Sequence, residues 1–326
     1  MTIKIKLTAT DGSSKGVNFN SYMTRYFSDF KFEGWPYMLG GSGTFEGRQM
    51  VLLDNVRAED TNVIVLDGRS FSYKLSTHVV SGTLTKVRLG TLGESYVPPD
   101  EFSQDGSGLI TAISAPVEIS GLSIAGSEFH ELVKGLMGGV TSGRRADGSV
   151  LRSAIADEAH SVTGSKGSDT YTGTRFSDTI KGNAGNDMLS GGKGNDRVEG
   201  GSGRDKLYGG AGADKLYGGA DADTFLFKSI TDSMVTKSGR DTIYDFNPQQ
   251  NDRISLSAVD ANSKVTGNQA FIFIEEKIFS GTAGELRYDV VSSDTYIYGD
   301  VNGDKVADFT IHLDDPISMQ RSYFIL

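Results

Sequence analysis

Between Gly164 and Leu226 the sequence reads GSKGSDTYT, GTRFSDTIK, GNAGNDMLS, GGKGNDRVE, GGSGRDKLY, GGAGADKLY and GGADADTFL, seven consecutive rows of nine residues. The sixth position is Asp in every row: Asp169, Asp178, Asp187, Asp196, Asp205, Asp214 and Asp223. The eighth is always large and apolar: Tyr171, Ile180, Leu189, Val198, Leu207, Leu216 and Phe225. Six residues of Gly, Asn and Asp favour a turn, and three residues around one apolar side chain suit a short strand. Each row is then half a coil, and rows n and n+2 stack on one side at the strand spacing of ~4.8 Å. Stacking sets the sixth-position carboxylates one above another and buries the eighth-position side chains between two sheets.

Like charges at that spacing cost roughly 3 kcal/mol per pair at an effective dielectric of about 20. A cation between the turns reverses the sign, and ligation by carboxylates and turn carbonyls alone selects Ca²⁺ over softer metals. The nonapeptide pattern resembles that of RTX proteins, which implies a calcium-binding parallel β-roll. Five n/n+2 pairs lead us to expect three to five bound ions. Phe176 and Asp221 stand where the pattern has Gly, so the turns they touch should be the weaker ones.

The chain has 326 residues, 42 Gly, 6 Pro, no Cys and a net charge of -10. Lack of Cys excludes thiol nucleophiles, thiolate-bound zinc, iron–sulfur clusters and disulfides. The acidic balance argues against a nucleic-acid partner. No window approaches 18 apolar residues, so we expect no membrane-embedded helix. MTIKIKLTATDGSSKG alternates Ile3, Ile5 and Leu7 with polar residues and reads as a strand, not a cleaved signal peptide. Residues 1–163 carry net -3 and residues 164–326 net -7, which places the acidic half with the repeats. A short apolar face of Val150, Leu151, Ala154 and Ile155 reads as a linker helix within 146–163.

The stretch DADTFLFKSITDSMVTKSGRDTIYDFNPQQNDRISLSAVD resembles the C-terminal domain of serralysin-type secreted proteases. It marks 227–326 as a β-rich cap after the roll at 164–226. Within the cap, GDVNGDKVADF spaces Asp300, Asn302, Asp304 and Asp308 as in an EF-hand-like ligand loop, without the bidentate Glu at position 12. A plain Asn302-Gly303 hairpin turn reads the same residues without a metal. The final Ser322-Tyr323-Phe324-Ile325-Leu326 resembles the uncleaved secretion signal of type I exported proteins. Together these resemblances imply an extracellular protein handed to a type I secretion apparatus.

Residues 1–145 mix two helical patterns with alternating runs. Phe19, Tyr22, Met23, Tyr26, Phe27 and Phe30 share one helical face, and Phe129, Leu132, Val133, Leu136 and Met137 share another. Residues 62–66 and 84–89 alternate as strands, which predicts an α+β domain on a curved antiparallel sheet. RSFSYKLSTHVVSGTLTKVRLGTLG (69–93) and VEISGLSIAGSEFHELVKGLMGG (117–139) resemble segments of HasA-type haemophores. That resemblance implies haem b held by the Tyr73 phenolate, with His78 supporting the phenolate and Leu75 and Met137 as apolar contacts. It also implies an outer-membrane haem receptor as partner. A free Tyr has pKa ~10, so Fe³⁺ and an imidazole acceptor are what let it bind as phenolate at neutral pH.

Tyr73 and His78 also read as a cross-strand surface pair. On that reading the domain keeps the fold without haem and serves as a secreted adhesion module, with Phe32, Trp35 and Tyr37 presented on a Gly-rich loop to a protein or glycan. An enzyme is not expected. His78, His130, His160 and His312 form no H-E-x-x-H pair, Lys134 stands where His130-Glu131 would need its second His, and no G-x-S-x-G elbow occurs. His130 should be structural at a helix start, His160 should sit in the linker, and His312 should face solvent between Ile311 and Leu313.

Overall fold

The computed structural model describes residues 2–9, 15–32, 36–41, 46–54, 61–74, 76–77, 79–92, 96–97, 101–102, 104–107, 109–110, 113–137 and 146–326. The chain divides into two compact units, residues 1–13 with 17–158 and residues 14–16 with 159–326.

In the first unit an antiparallel sheet runs in the order Thr2–Leu7, Ser114–Ala125, Val79–Thr91, Asn62–Lys74, Glu46–Leu53 and Tyr37–Leu39. Helix α1 (Phe19–Asp29) starts where the Asn18 side chain accepts the Ser21 amide at 3.0 Å, an N-cap worth about 1 kcal/mol. It buries Phe19, Met23, Tyr26 and Phe27. The Tyr26 hydroxyl donates to the Val63 carbonyl at 2.7 Å and accepts the Gly90 amide at 3.3 Å, fixing the helix over two strands. Helix α2 (Gly126–Leu136) buries Phe129, Leu132, Val133 and Leu136, and Phe129 stacks on Phe71 at 5.0 Å. Inside the sheet Arg88 pairs with Asp67 at 3.0 Å and donates to the Ile110 carbonyl at 2.8 Å; Gln49 donates to Asp67 at 2.7 Å. Arg88 is buried and Asp67 half-buried, and each charge has further hydrogen-bond partners, which is what makes the desolvation of the pair tolerable.

The second unit is built from two parallel ladders. One joins Ala159–Thr163, Thr179–Ala184, Arg197–Ser202, Lys215–Ala220, Thr242–Ile243 and Phe309–Leu313. The other joins Ser168–Thr172, Met188–Lys193, Lys206–Ala211, Thr224–Leu226, Arg253–Ser255 and Phe324–Ile325. Register is set by the 18-residue coil: Ile180 aligns with Val198, Leu216, Ile243 and Leu313, and Tyr171 with Leu189, Leu207, Phe225, Ile254 and Phe324. None of these side chains, nor Val162, is more than 2% exposed. Burying each contributes about 2 kcal/mol, so the columns are the roll's core.

Three boundaries differ from the sequence reading. Helix α3 covers only Ser149–Ala156, and Ala159–Thr163 is already the first roll strand, pairing with Thr179–Lys181. His160 is consequently a buried strand residue whose Nδ1 meets the Tyr171 hydroxyl, not a linker residue. At the other end no break falls at 226/227, because 243, 254, 313 and 324 extend the same two columns. The rows lose their glycines there but keep one apolar residue per strand, and the apolar column is what carries the ladder. Beyond Phe309–Leu313 the sheet turns antiparallel through Asp294–Asp300 and Glu285–Val291.

Candidate metal centre

The sixth-position aspartates form two buried stacks linked through the backbone. From Asp187 onward each carboxylate accepts, through Oδ1, the amide of the aspartate one coil earlier: Asp187 from Asp169 at 2.7 Å, Asp205 from Asp187 at 2.8 Å, Asp223 from Asp205 at 2.9 Å. The second stack repeats this, Asp196 accepting from Asp178 at 2.7 Å and Asp214 from Asp196 at 2.7 Å. All seven are at most 2% exposed.

Their second oxygens divide the rows into two kinds. Asp187, Asp196, Asp205, Asp214 and Asp223 each bury an Oδ2 with no hydrogen-bond partner. Burial, helped by neighbouring carboxylates, pushes these acids up, to about 7 for Asp187, 8 for Asp196, 6 for Asp205, 6 for Asp214 and 7 for Asp223. A buried anion with an idle oxygen is expensive without a counter-charge. Asp169 and Asp178 differ, because Ser165 and Thr174 stand at the second position where later rows have Gly or Asn. The Ser165 amide holds Asp169 Oδ2 at 2.6 Å and the Thr174 amide holds Asp178 Oδ2 at 2.6 Å.

The space beside the idle oxygens is bounded by more oxygen. A Cβ added to Gly182 would fall onto Asp187 Oδ2 and the Gly200 carbonyl oxygen. At Gly191 the corresponding atoms are Asp196 Oδ2 and the Gly209 carbonyl, and at Gly200 they are Asp205 Oδ2 and the Gly218 carbonyl. Carboxylate and carbonyl oxygens facing one small gap per turn are a donor set for a hard cation, and glycine at the first position keeps the gap open. The residues present fit Ca²⁺.

Two stack members lie outside the seven rows. Asp241 Oδ1 accepts the Asp214 amide at 2.9 Å and Asp252 Oδ1 accepts the Asp223 amide at 2.9 Å. Asp241 Oδ2 is also buried without a partner, and its burial raises that acid well above the usual carboxylate range. The sequence carries their mark, since Asp241-Thr242-Ile243 and Asp252-Arg253-Ile254 keep the Asp-x-apolar end of a row.

The Asp300 loop is organised differently. Asp300 Oδ1 accepts the Gly303 amide at 2.6 Å and its Oδ2 the Lys305 amide at 3.0 Å. Asn302 and Asp304 accept the Asp304 and Val306 amides at 2.8 Å, and Asp308 Oδ2 accepts the Val301 amide at 2.7 Å. The loop thus folds around its own amides, with Gly303 at φ 71 making the turn.

Of the residues assigned to haem, Tyr73 is half-buried near the end of Asn62–Lys74 and registers with Val80 across the hairpin. Met137 closes α2. Leu75 and His78, like Trp35 of the alternative reading, lie outside the described residues. Helix α2 packs on the hairpin that carries Tyr73 through the Phe71–Phe129 stack, and His130 Nδ1 accepts the Val80 amide at 3.3 Å. His312 does not simply face solvent: its Nε2 lies 2.9 Å from Asp294 Oδ1 and its Nδ1 3.0 Å from Thr242 Oγ1.

Comparison with known proteins gives one family. The model described as the serralysin C-terminal domain of M10 peptidases matches residues 133–326. Among solved structures, the holo haemophore HasA of Yersinia pestis is similar at 13% identity and a TM-score of 0.33, over 47% of this chain and 88% of that one. The AlgE6R2 subunit of the Azotobacter vinelandii mannuronan C5-epimerase is similar at 24% identity and a TM-score of 0.34, over 48% and 90%. No curated protein matches the chain.

Proposed function

The chain belongs to the serralysin C-terminal family, and on that premise we propose that it is an extracellular binding protein, not an enzyme, whose second unit folds on calcium after export by a type I apparatus. The observation that supports this reading is the row of buried Oδ2 atoms on Asp187, Asp196, Asp205, Asp214, Asp223 and Asp241. Between coils they fall into four pairs: 187/205, 205/223, 196/214 and 214/241. Ligand that binds only the native state stabilises it by RT ln(1+[L]/Kd). Millimolar extracellular Ca²⁺ against a Kd of about 10 μM adds roughly 2.7 kcal/mol per site, and submicromolar cytosolic Ca²⁺ adds almost nothing. The chain then stays open for export and closes outside. Equilibrium dialysis against ⁴⁵Ca²⁺ tests this: about four ions per chain are expected, and fewer than one would refute it.

For the first unit we propose haem as cargo, with Tyr73 as the ligand and His78 as its hydrogen-bonding support. The position of Tyr73, half-buried beside the hairpin turn and next to the packed Phe71–Phe129 pair, supports this reading. A protein or glycan partner is the second reading, favoured by Tyr37, which is 38% exposed on a short strand beside the Gly-rich loop. Mixing the protein with haemin and recording its visible spectrum separates them. A ferric phenolate charge-transfer band favours the carrier, and an unchanged haemin spectrum favours the adhesion module.

A further inference from the structure

His312, Asp294 and Asp314 bring one ligand atom each to within 4.8 Å of one another, the one such trio among the described residues. We infer that this trio is a second type of metal site, for a borderline divalent cation of the Zn²⁺ class, separate from the oxygen-only gaps between the turns. The inference does not depend on calcium binding at the aspartate stacks.

Three features prepare the imidazole for this role. Thr242 Oγ1 lies 3.0 Å from Nδ1, placed to accept the ring proton once a metal displaces the proton that Nε2 shares with Asp294 Oδ1 at 2.9 Å, the outer-shell arrangement that orients a metal-binding His. Tyr296 stacks on the ring at 4.8 Å and 14°, so the imidazole plane is held. Arg240 lies over the Tyr296 ring at 5.3 Å and donates to the Val235 carbonyl. The backbone is fixed too: the His312 amide donates to the Asp241 carbonyl at 3.1 Å and the Asp314 amide to the Ile243 carbonyl at 3.0 Å.

The donor set decides the metal. One imidazole nitrogen with two carboxylates suits Zn²⁺, Mn²⁺ or Co²⁺ better than Ca²⁺, which takes oxygen ligands. The trio lies at the surface, Asp314 being exposed and Asp294 half-buried, so the ion can reach it and water can complete its coordination.

The test is Zn²⁺ titration of the full chain by calorimetry in 5 mM Ca²⁺, which fills the calcium sites, with Co²⁺ absorption as a second probe. We expect one Zn²⁺ per chain, binding lost in His312→Gln and weakened at least tenfold in Asp314→Asn. Asp314 is exposed, so its variant keeps the test valid if His312→Gln fails to fold. Calcium-dependent thermal stability should be the same in Asp314→Asn as in the parent. No Zn²⁺ binding by the parent chain at 100 μM, or equal binding by the parent and Asp314→Asn, would overturn the assignment.

Discussion

The amide of Asp187 donates to Asp205 Oδ1 at 2.8 Å, and Asp205 Oδ2 beside it is buried with no partner at all. The same carboxylate thus fixes the coil spacing with one oxygen and holds the other ready for a cation. Asp205→Asn keeps an acceptor for the amide but removes the charge. Its calcium midpoint should rise about tenfold, equivalent to roughly 1.4 kcal/mol. Asp178→Asn should move it far less, because Thr174 already occupies both carboxylate oxygens of Asp178. Calcium titrations followed by circular dichroism check the contrast, and equal shifts in the two variants would speak against it.

The raised acids give a pH dependence whose sign changes with calcium. Without metal, the folded roll holds protons on Asp187, Asp196, Asp205, Asp214 and Asp223 up to about pH 6–8, whereas in the unfolded chain they leave near 3.9. The native state binds more protons in that window, so calcium-free stability should rise as pH falls from 8 toward 4. Calcium affinity should run the other way, because the metal needs the deprotonated carboxylates. The fraction of folded roll in calcium-stripped protein at pH 5 and pH 8, read by far-ultraviolet circular dichroism, tests the first half; more folded roll at pH 8 than at pH 5 would contradict it.

Row seven offers a substitution that improves the fold. Asp221 sits at φ 78, at the fourth position where Gly203 adopts φ 114. Asp221→Gly should raise stability in saturating calcium by about 0.5 kcal/mol by relieving left-handed strain. Gly203→Ala should cost more than about 2 kcal/mol, since its Cβ would collide with the Gly185 carbonyl. Urea unfolding of the two variants reads both signs.

For the haem reading, Tyr73→Phe removes the phenol oxygen alone. It should abolish the charge-transfer band of the haemin complex while leaving the far-ultraviolet spectrum unchanged. His78→Ala should weaken binding, more strongly as pH falls, because the phenolate then takes up a proton more readily. A Tyr73→Phe spectrum identical to that of the parent would remove Tyr73 as ligand.

How far the sequence discloses this molecule depends on what each residue does. The nine-residue period fixes Asp and apolar positions with no reference to distant contacts, so the stacking of Leu189 on Leu207 and of Asp187 near Asp205 follows from spacing alone. Asp241 and Asp252 escape that reading, because the glycines before them are replaced and the spacing stretches from 18 to 27 and 29 residues. His160 escapes it too, since the first coil has no preceding row to reveal its phase. The split between Asp169 or Asp178 and the later aspartates turns on the second position, where the Ser165 and Thr174 amides hold Oδ2 and their hydroxyls add a further bond to the same carboxylate. His312 shows the limit of periodicity: alternation puts it on the outer face, but only the register with Thr242 and Tyr296 reveals that Asp294 and Asp314 meet it there.

The calcium account is tested most directly by amide hydrogen exchange on the full chain with and without the ion. In 5 mM Ca²⁺ the amides of Asp187, Asp196, Asp205 and Asp214, each bonded to the next carboxylate in its stack, should be protected, and in EGTA they should exchange as in an unfolded chain, while residues 62–74 keep their protection in both. Equal protection of those aspartate amides in EGTA and in calcium would contradict the claim that the metal folds the roll.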